Sequence, residues 1–207
     1  MNNYKKYIFD IDYTILIPDW SKEDDYFKEH IIENEQGEFF KNKQRILNKY
    51  EQEFPRYDSK ALSNYFKSYG FTVSEDMINS WMLFNGENIK DEVVDGVVDL
   101  FKYLKENNKE IIILTNWFSE TQIPRLKRAG LYNYIDKVVS GEDASKPSLE
   151  SFNLAIGKTN KKDCIMIGDS IRNDQNGANN AGIDSYLVDE NHTIRDLYNM
   201  IINEKNN

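Results

Sequence analysis

Five short apolar runs rich in β-branched residues punctuate this chain, at roughly 4–10, 110–115, 136–140, 163–168 and 183–188. Runs of this length and composition, bounded by polar residues, read as buried strands. Between the later ones the apolar positions recur at helical spacing instead. Val93, Val94, Val97, Val98, Phe101 and Leu104 form one stripe. Leu126 and its apolar neighbours precede Gly130, a helix stop, and Pro124 fits that helix's first turn if Thr121 is the cap, because amides there have no helical partner. Ser148 caps a helix that runs through Phe152 and Ile156 to Gly157, and a last helix starts at Thr193 with Ile194, Leu197, Tyr198 and Ile201. Strands alternating with helices predict an α/β fold built on a parallel sheet.

The stretch 17–90 breaks the alternation. It holds no convincing strand but four helical stripes: Tyr26, Phe27, His30 and Ile31; Phe39, Lys43, Ile46, Leu47 and Tyr50; Leu62, Tyr65, Phe66 and Tyr69; Met77, Ile78, Trp81 and Met82. Asp58 and Ser74 are candidate caps, and Glu23, Asp24 and Asp25 suit the first turn of a helix after Ser21. The expected organisation is a core of residues 1–16 and 91–207 carrying an inserted helical subdomain of residues 17–90. Its aromatics Trp20, Phe39, Phe40 and Trp81 are expected to be mostly core.

A net charge of −9 argues against a nucleic-acid polymer or an anionic membrane as partner, since both reward a basic surface. No apolar run approaches a membrane span, and the N-terminus lacks a signal-peptide core. Cys164, the single cysteine, lies in a buried run without a partner, which fits a reducing compartment. The expectation is a cytoplasmic protein, monomer or dimer, acting on a small molecule. His30 and His192 are far apart and suggest no metal site.

The candidate chemistry sits where the apolar runs end. Asp10 and Asp12 close the first, Thr115 and Asn116 the second, Lys146 follows the third, and Asp169 closes the fourth with Asp174 behind it. In parallel sheets ligands bind beyond the carboxyl ends of the strands, so these groups can meet at one site. A carboxylate there can attack phosphorus, which makes Asp10 a candidate nucleophile and Asp12 a candidate general acid and base. Asp169 can complete an oxygen-rich Mg²⁺ site with Asp10, and Asp174 can hold a metal-bound water or orient Lys146. Lys146, the Thr115 hydroxyl and nearby backbone amides can receive phosphoryl oxygens.

Taken together, Asp10-Ile11-Asp12-Tyr13-Thr14, Thr115-Asn116, Lys146-Pro147 and Gly168-Asp169-Ser170-Ile171-Arg172-Asn173-Asp174 resemble the four motifs of the haloacid dehalogenase-like (HAD) hydrolase superfamily. The insertion after the first motif is similar to the helical cap of its phosphatase branch, which includes phosphoglycolate phosphatases and 5′-nucleotidases. The resemblance implies a Rossmann-like sheet core, and a Mg²⁺-dependent phosphomonoester hydrolase working on a small phosphorylated metabolite through an aspartyl-phosphate. It implies that the Asp10 carboxylate, the Asp12 backbone carbonyl and Asp169 bind the metal with Asp174 in support, and that Thr115, the Asn116 backbone amide and Lys146 bind phosphate. Three departures stand out: Tyr13 occupies a position where the family often has glycine, Trp117 one where smaller residues are common, and the segment Ser140-Gly141-Glu142-Asp143-Ala144-Ser145 before Lys146 is somewhat short. A phosphomutase of the β-phosphoglucomutase type shares all four motifs and is the main alternative. A 2-haloacid dehalogenase needs neither Asp12 nor a metal, and a non-catalytic phospho-receiver places its acceptor aspartate on a middle strand of a shorter chain.

Overall fold

In the computed structural model, which describes residues 4–205, the chain opens with β1 (Lys6–Phe9) and β2 (Leu16–Asp19), followed by α1 (Glu23–His30), α2 (Glu33–Glu53), α3 (Ser59–Ser68) and α4 (Glu75–Asn88). It continues through β3 (Lys90–Val93), α5 (Val97–Glu106), β4 (Glu110–Leu114), α6 (Ser119–Arg128), β5 (Lys137–Val139) and α7 (Leu149–Ile156). The last elements are β6 (Cys164–Gly168), α8 (Asn176–Ala181), β7 (Asp184–Leu187) and α9 (Ile194–Lys205).

The five apolar runs are the five strands of one sheet, ordered β5-β4-β1-β6-β7 with every pairing parallel. Side chains on a strand alternate between faces, and here both faces are buried. Tyr7, Phe9, Ile111, Ile113, Ile165 and Ile167 pack with Val97, Phe101, Leu104 and Leu197 from α5 and α9. The intervening Ile8, Ile112, Leu114 and Met166 pack with Phe152, Ile156, Ala178 and Ala181 from α7 and α8. Burying each large aliphatic side chain contributes about 1.5–3 kcal/mol, which explains why continuous apolar runs, and not alternating ones, mark these strands. β1 lies at the centre, with β4 on one side and β6 on the other, so the strand order reverses there. Such a reversal opens a crevice at the strand's carboxyl end.

Helices α1 to α4 bury their stripes in a separate cluster that includes Phe27, Phe39, Ile46, Tyr50, Leu62, Phe66, Ile78 and Trp81 and takes Phe118 from the β4–α6 connection. Asp58 and Ser74 cap α3 and α4, accepting from the Ala61 and Met77 amides at 2.7 and 3.1 Å. Glu23 and Asp24, at the start of α1, are also ion-paired with the buried Lys43 of α2.

Three expectations are corrected. The 17–90 stretch is not free of strand: β2 and β3 pair antiparallel where it begins and ends, Leu16 opposite Val93 and Asp19 opposite Lys90. Pro18 in one strand and the charged Lys90-Asp91-Glu92 in the other hid the pattern. The helix around Leu126 starts earlier than Thr121, at Ser119, and Pro124 lies inside it. Thr121 is fully buried and donates from its hydroxyl to the Met82 carbonyl at 2.9 Å. The stripe from Val93 to Leu104 is helical only from Val97, with Val93 in β3 and Val98 exposed. Among the described residues no helix is long and apolar enough to cross a membrane.

Candidate active site

Asp10 follows β1 directly, at the reversal point, and its amide still bonds to the Ile167 carbonyl of β6 at 2.9 Å. The chain then turns sharply: the Ile11 carbonyl accepts from the amides of Thr14, Ile15 and Leu16 at 3.2, 2.9 and 3.0 Å. Tyr13 makes this turn at φ 59°, the left-handed conformation that glycine adopts freely and other residues adopt at a cost of about 1–3 kcal/mol. The turn keeps Asp10 and Asp12 on one cavity, of about 580 Å³, which Thr115, Asn116, Lys146 and Asp169 also line. That volume suits a small molecule. All the candidate groups from four strand ends are therefore brought together, with Asp174 buried just behind.

The two leading carboxylates have different partners. Lys146, 2% exposed, places Nζ 2.9 Å from Asp10 Oδ1 and 2.6 Å from Asp174 Oδ1. Burial alone would lower the Lys146 pKa, but Asp10 and Asp174 hold it above its ordinary value. Burial pushes the Asp10 carboxyl up to about 8; Lys146 pulls it down while Asp174 and Asp12 raise it further. Asp12 instead faces Arg125 Nη2 at 2.7 Å and Gln122 Nε2 at 3.1 Å. Gln122 also donates to the Thr115 hydroxyl at 3.0 Å. Arg125 is fully buried, bonds Asp91 through Nη2 and Nε at 2.6 and 3.1 Å, and lies over the Trp20 ring at 5.3 Å.

Carboxylate oxygens of Asp10, Asp169 and Asp174 lie within 4.8 Å of one another. Three hard oxygen donors at this separation fit Mg²⁺. Burial, and then Asp174, also raise the Asp169 pKa, and a divalent cation beside these carboxylates would favour their ionised forms. Asp174 is already committed through both oxygens, Oδ1 to Lys146 and Oδ2 to the Ser170 amide at 3.0 Å, which makes it a support for the others. Gly168 permits this arrangement, since a Cβ there would collide with the Asp174 carboxylate.

The Asn116 side chain is spent on bracing the lysine loop: Oδ1 accepts from the Lys146 amide at 2.6 Å and Nδ2 donates to the Lys146 carbonyl at 3.0 Å. The sequence reading missed Gln122, Arg125, Asp91 and Glu51, and gave no role to Asn173 of the fourth motif, which meets Glu51 at the cavity rim at 3.1 Å. One signal was present: the buried face of α6 is Thr121, Gln122, Arg125 and Leu126, and polar residues at core positions of a helix ask for buried partners.

Residues 7–188 match the sequence profile of a family described as haloacid dehalogenase-like hydrolase. The chain is 34% identical to pyrimidine 5′-nucleotidase YjjG of Escherichia coli over 102 residues, 47% of this chain and 45% of that protein. It is 30% identical to ribulose-1,5-bisphosphate 5-phosphatase of Halopiger xanaduensis over 101 residues, 47% of this chain and 42% of that one. The matched segment thus spans less than half the length of either relative. Among solved structures, YfnB of Bacillus subtilis, named as a HAD-hydrolase and bound to magnesium, aligns with a TM-score of 0.69 at 24% identity over 97% of this chain and 100% of that chain. A HAD phosphatase from Thermococcus onnurineus aligns at 0.64 and 22% identity, over 95% and 97%. These two likenesses are of fold.

Proposed function

The chain belongs to the haloacid dehalogenase-like hydrolase family, and we propose that it is a phosphatase that hydrolyses a small phosphorylated metabolite through Asp10. The observation that carries this reading is Asp10 at the tip of the central strand, ion-paired to a buried lysine and grouped with Asp169 and Asp174. Lys146 Nζ, the Thr115 hydroxyl and the Asn116 amide receive the phosphoryl oxygens. An Asp10 oxygen attacks phosphorus, the bond to the substrate oxygen breaks, and Asp12 gives that oxygen a proton. Asp12 then takes a proton from water as it attacks the aspartyl-phosphate, releasing phosphate and Asp10. Both Asp12 oxygens are held in the resting site, so one must turn from Arg125 or Gln122 toward the substrate. Asp10, Asp169 and the Asp12 backbone carbonyl would hold Mg²⁺ with Asp174 behind them, and the cation supplies charge that offsets the phosphoryl oxygens.

Residues 17–90 act, in this reading, as a cap hinged on the β2–β3 ribbon, beside Asp12. Supporting it, α2 and the segment after it contribute Gln44, Leu47, Asn48, Glu51 and Tyr57 to the cavity wall. Closure excludes water from the reacting phosphorus.

Purified protein is expected to release p-nitrophenol from p-nitrophenyl phosphate with Mg²⁺, to stop when the metal is chelated, and to lose turnover in Asp10→Asn, because an amide is a poor nucleophile. Absence of turnover on any of a panel of monoesters with Mg²⁺ present would refute the assignment.

A further inference from the structure

The cap side of the cavity carries an unusual charge arrangement. One face of α2 contributes Gln44, Leu47, Asn48 and Glu51. Glu51 Oε1 accepts from two core amides, Asn116 Nδ2 at 2.6 Å and Asn173 Nδ2 at 3.1 Å. They come from the loops after β4 and β6, so the carboxylate is pinned above the strand ends. Oε2 accepts no hydrogen bond among the described residues, and no cation pairs with Glu51 there. Among those residues Lys146 is the one basic side chain in the cavity wall, and it is held by Asp10 and Asp174. The buried cap cation, Lys43, is ion-paired with Glu23 and Asp24 beneath the Phe27 and Trp81 rings and does not line the cavity.

We infer that Glu51 is a specificity-determining residue: it selects phosphomonoesters whose alcohol portion offers a hydrogen-bond donor and rejects those carrying a second anionic group. The inference rests on the phosphatase reading above. The free oxygen of Glu51 accepts from a hydroxyl or an ammonium of the leaving portion. Its uncompensated charge repels a carboxylate or second phosphate at the same place, and the described wall offers no spare cation to counter that repulsion. Gln44 and Asn48 extend the same preference, since Gln44 Nε2 donates to Asn48 Oδ1 at 2.9 Å and leaves the Asn48 amide hydrogens and the Gln44 oxygen for neutral polar groups. Like charges about 6 Å apart at an effective dielectric near 20 repel strongly enough for roughly a hundredfold discrimination.

Three esters of similar size separate the charges: ethanolamine phosphate, 2-hydroxyethyl phosphate and phosphoglycolate end in an ammonium, a hydroxyl and a carboxylate. With Mg²⁺, kcat/KM for the first two should exceed that for phosphoglycolate by about 10- to 100-fold. Glu51→Gln should collapse that ratio to within a few-fold, and Glu51→Asp, which keeps the charge, should preserve most of it. Phosphoglycolate cleaved by the wild-type protein as fast as the other two would overturn the inference. So would a Glu51→Gln protein in which all three rates fall by the same factor, the mark of a structural tie between cap and core. Should Glu51→Gln not fold, the wild-type ratio and the Asp variant still decide. p-Nitrophenyl phosphate is measured in parallel. If any ester is cleaved and the ratio is flat, only the specificity claim falls, and if p-nitrophenyl phosphate and all three esters are inert with Mg²⁺, the phosphatase reading falls and takes the inference with it.

Discussion

Arg125 illustrates how much one buried side chain can hold. Its guanidinium spans Asp12 at the cavity and Asp91 in β3, and Asp91 is itself only 5% exposed. A planar fork of donors suits two carboxylates at once, where an ammonium would serve one. Arg125→Met should therefore cost about 3–5 kcal/mol of stability, the usual penalty for stranding a buried charge. Adding Asp91→Asn should restore part of it, and denaturant midpoints of the two single variants and the double variant check this. Independent costs that simply add would mean that the pair is not coupled. The polar face of α6 signals that buried partners are needed, but which ones was not legible in the sequence, because the arginine's partners lie 113 and 34 residues away. Asp10, Asp12, Thr115, Lys146, Asp169 and Asp174 were legible for the opposite reason. Each sits at or shortly after the end of a strand that the apolar pattern already located, and a parallel sheet brings such ends together. Cys164 is buried, as its apolar run implied, and burial, the main influence on it, pushes its thiol up to about 11, so the thiolate is scarce at neutral pH.

At the scale of elements, the contact between α4 and α6 rests on two residues that helices usually avoid. Pro124 has no N–H, so the Glu120 carbonyl loses its helical donor. Gly86 of α4 sits against that carbonyl, where a Cβ would lie 2.5 Å from the oxygen. Arg128 then caps the end of α4, donating to the Gly86 carbonyl and, at 2.7 Å, to that of Ile89. Gly37 in α2 has the same intrinsic helix cost, but a Cβ there would meet no atom within 4 Å. Replacing it with alanine should stabilise the protein by about 0.5–1 kcal/mol, whereas Gly86→Ala should destabilise it by about 1–3 kcal/mol through overpacking. Thermal melts of the two variants should move in opposite directions, and a stabilised Gly86→Ala would mean that α4 and α6 can separate freely. Helices α1 to α4 were readable from 3.6-residue periodicity, while the β2–β3 ribbon was not. Pro18 and the charged Lys90-Asp91-Glu92 leave these two strands without the apolar run that marked the sheet, and the pair is fixed by where the chain must leave and rejoin the core.

Across the whole molecule, the segment between α2 and α3 meets the core along a second seam, apart from the ribbon. The Tyr57 amide donates to the Gly141 carbonyl at 2.7 Å, the Ser145 amide to the Pro55 carbonyl at 2.9 Å, and Arg56 pairs with Glu150 at 3.2 Å on the surface. If the cap swings on the ribbon, these two amides open with it while the sheet stays closed. Hydrogen exchange at Tyr57 and Ser145 should then be faster than at Ile113 in β4, and should slow when Mg²⁺ and vanadate occupy the site. Exchange as slow as the sheet's in the free protein would describe a fixed roof and not a lid. The ribbon has one more consequence. Because Leu16 and Val93 are paired neighbours, everything between them enters and leaves through a single doorway. The sheet's register is indifferent to what hangs beyond it, since closing a longer or shorter loop across a fixed gap changes the free energy only logarithmically. The strand ends, by contrast, meet the insertion through Glu51, Pro55 and Tyr57. If residues 17–90 do roof the site, such a joint would let one scaffold carry different roofs, provided that each leaves Asp91 under Arg125 and covers Trp117 and Phe118.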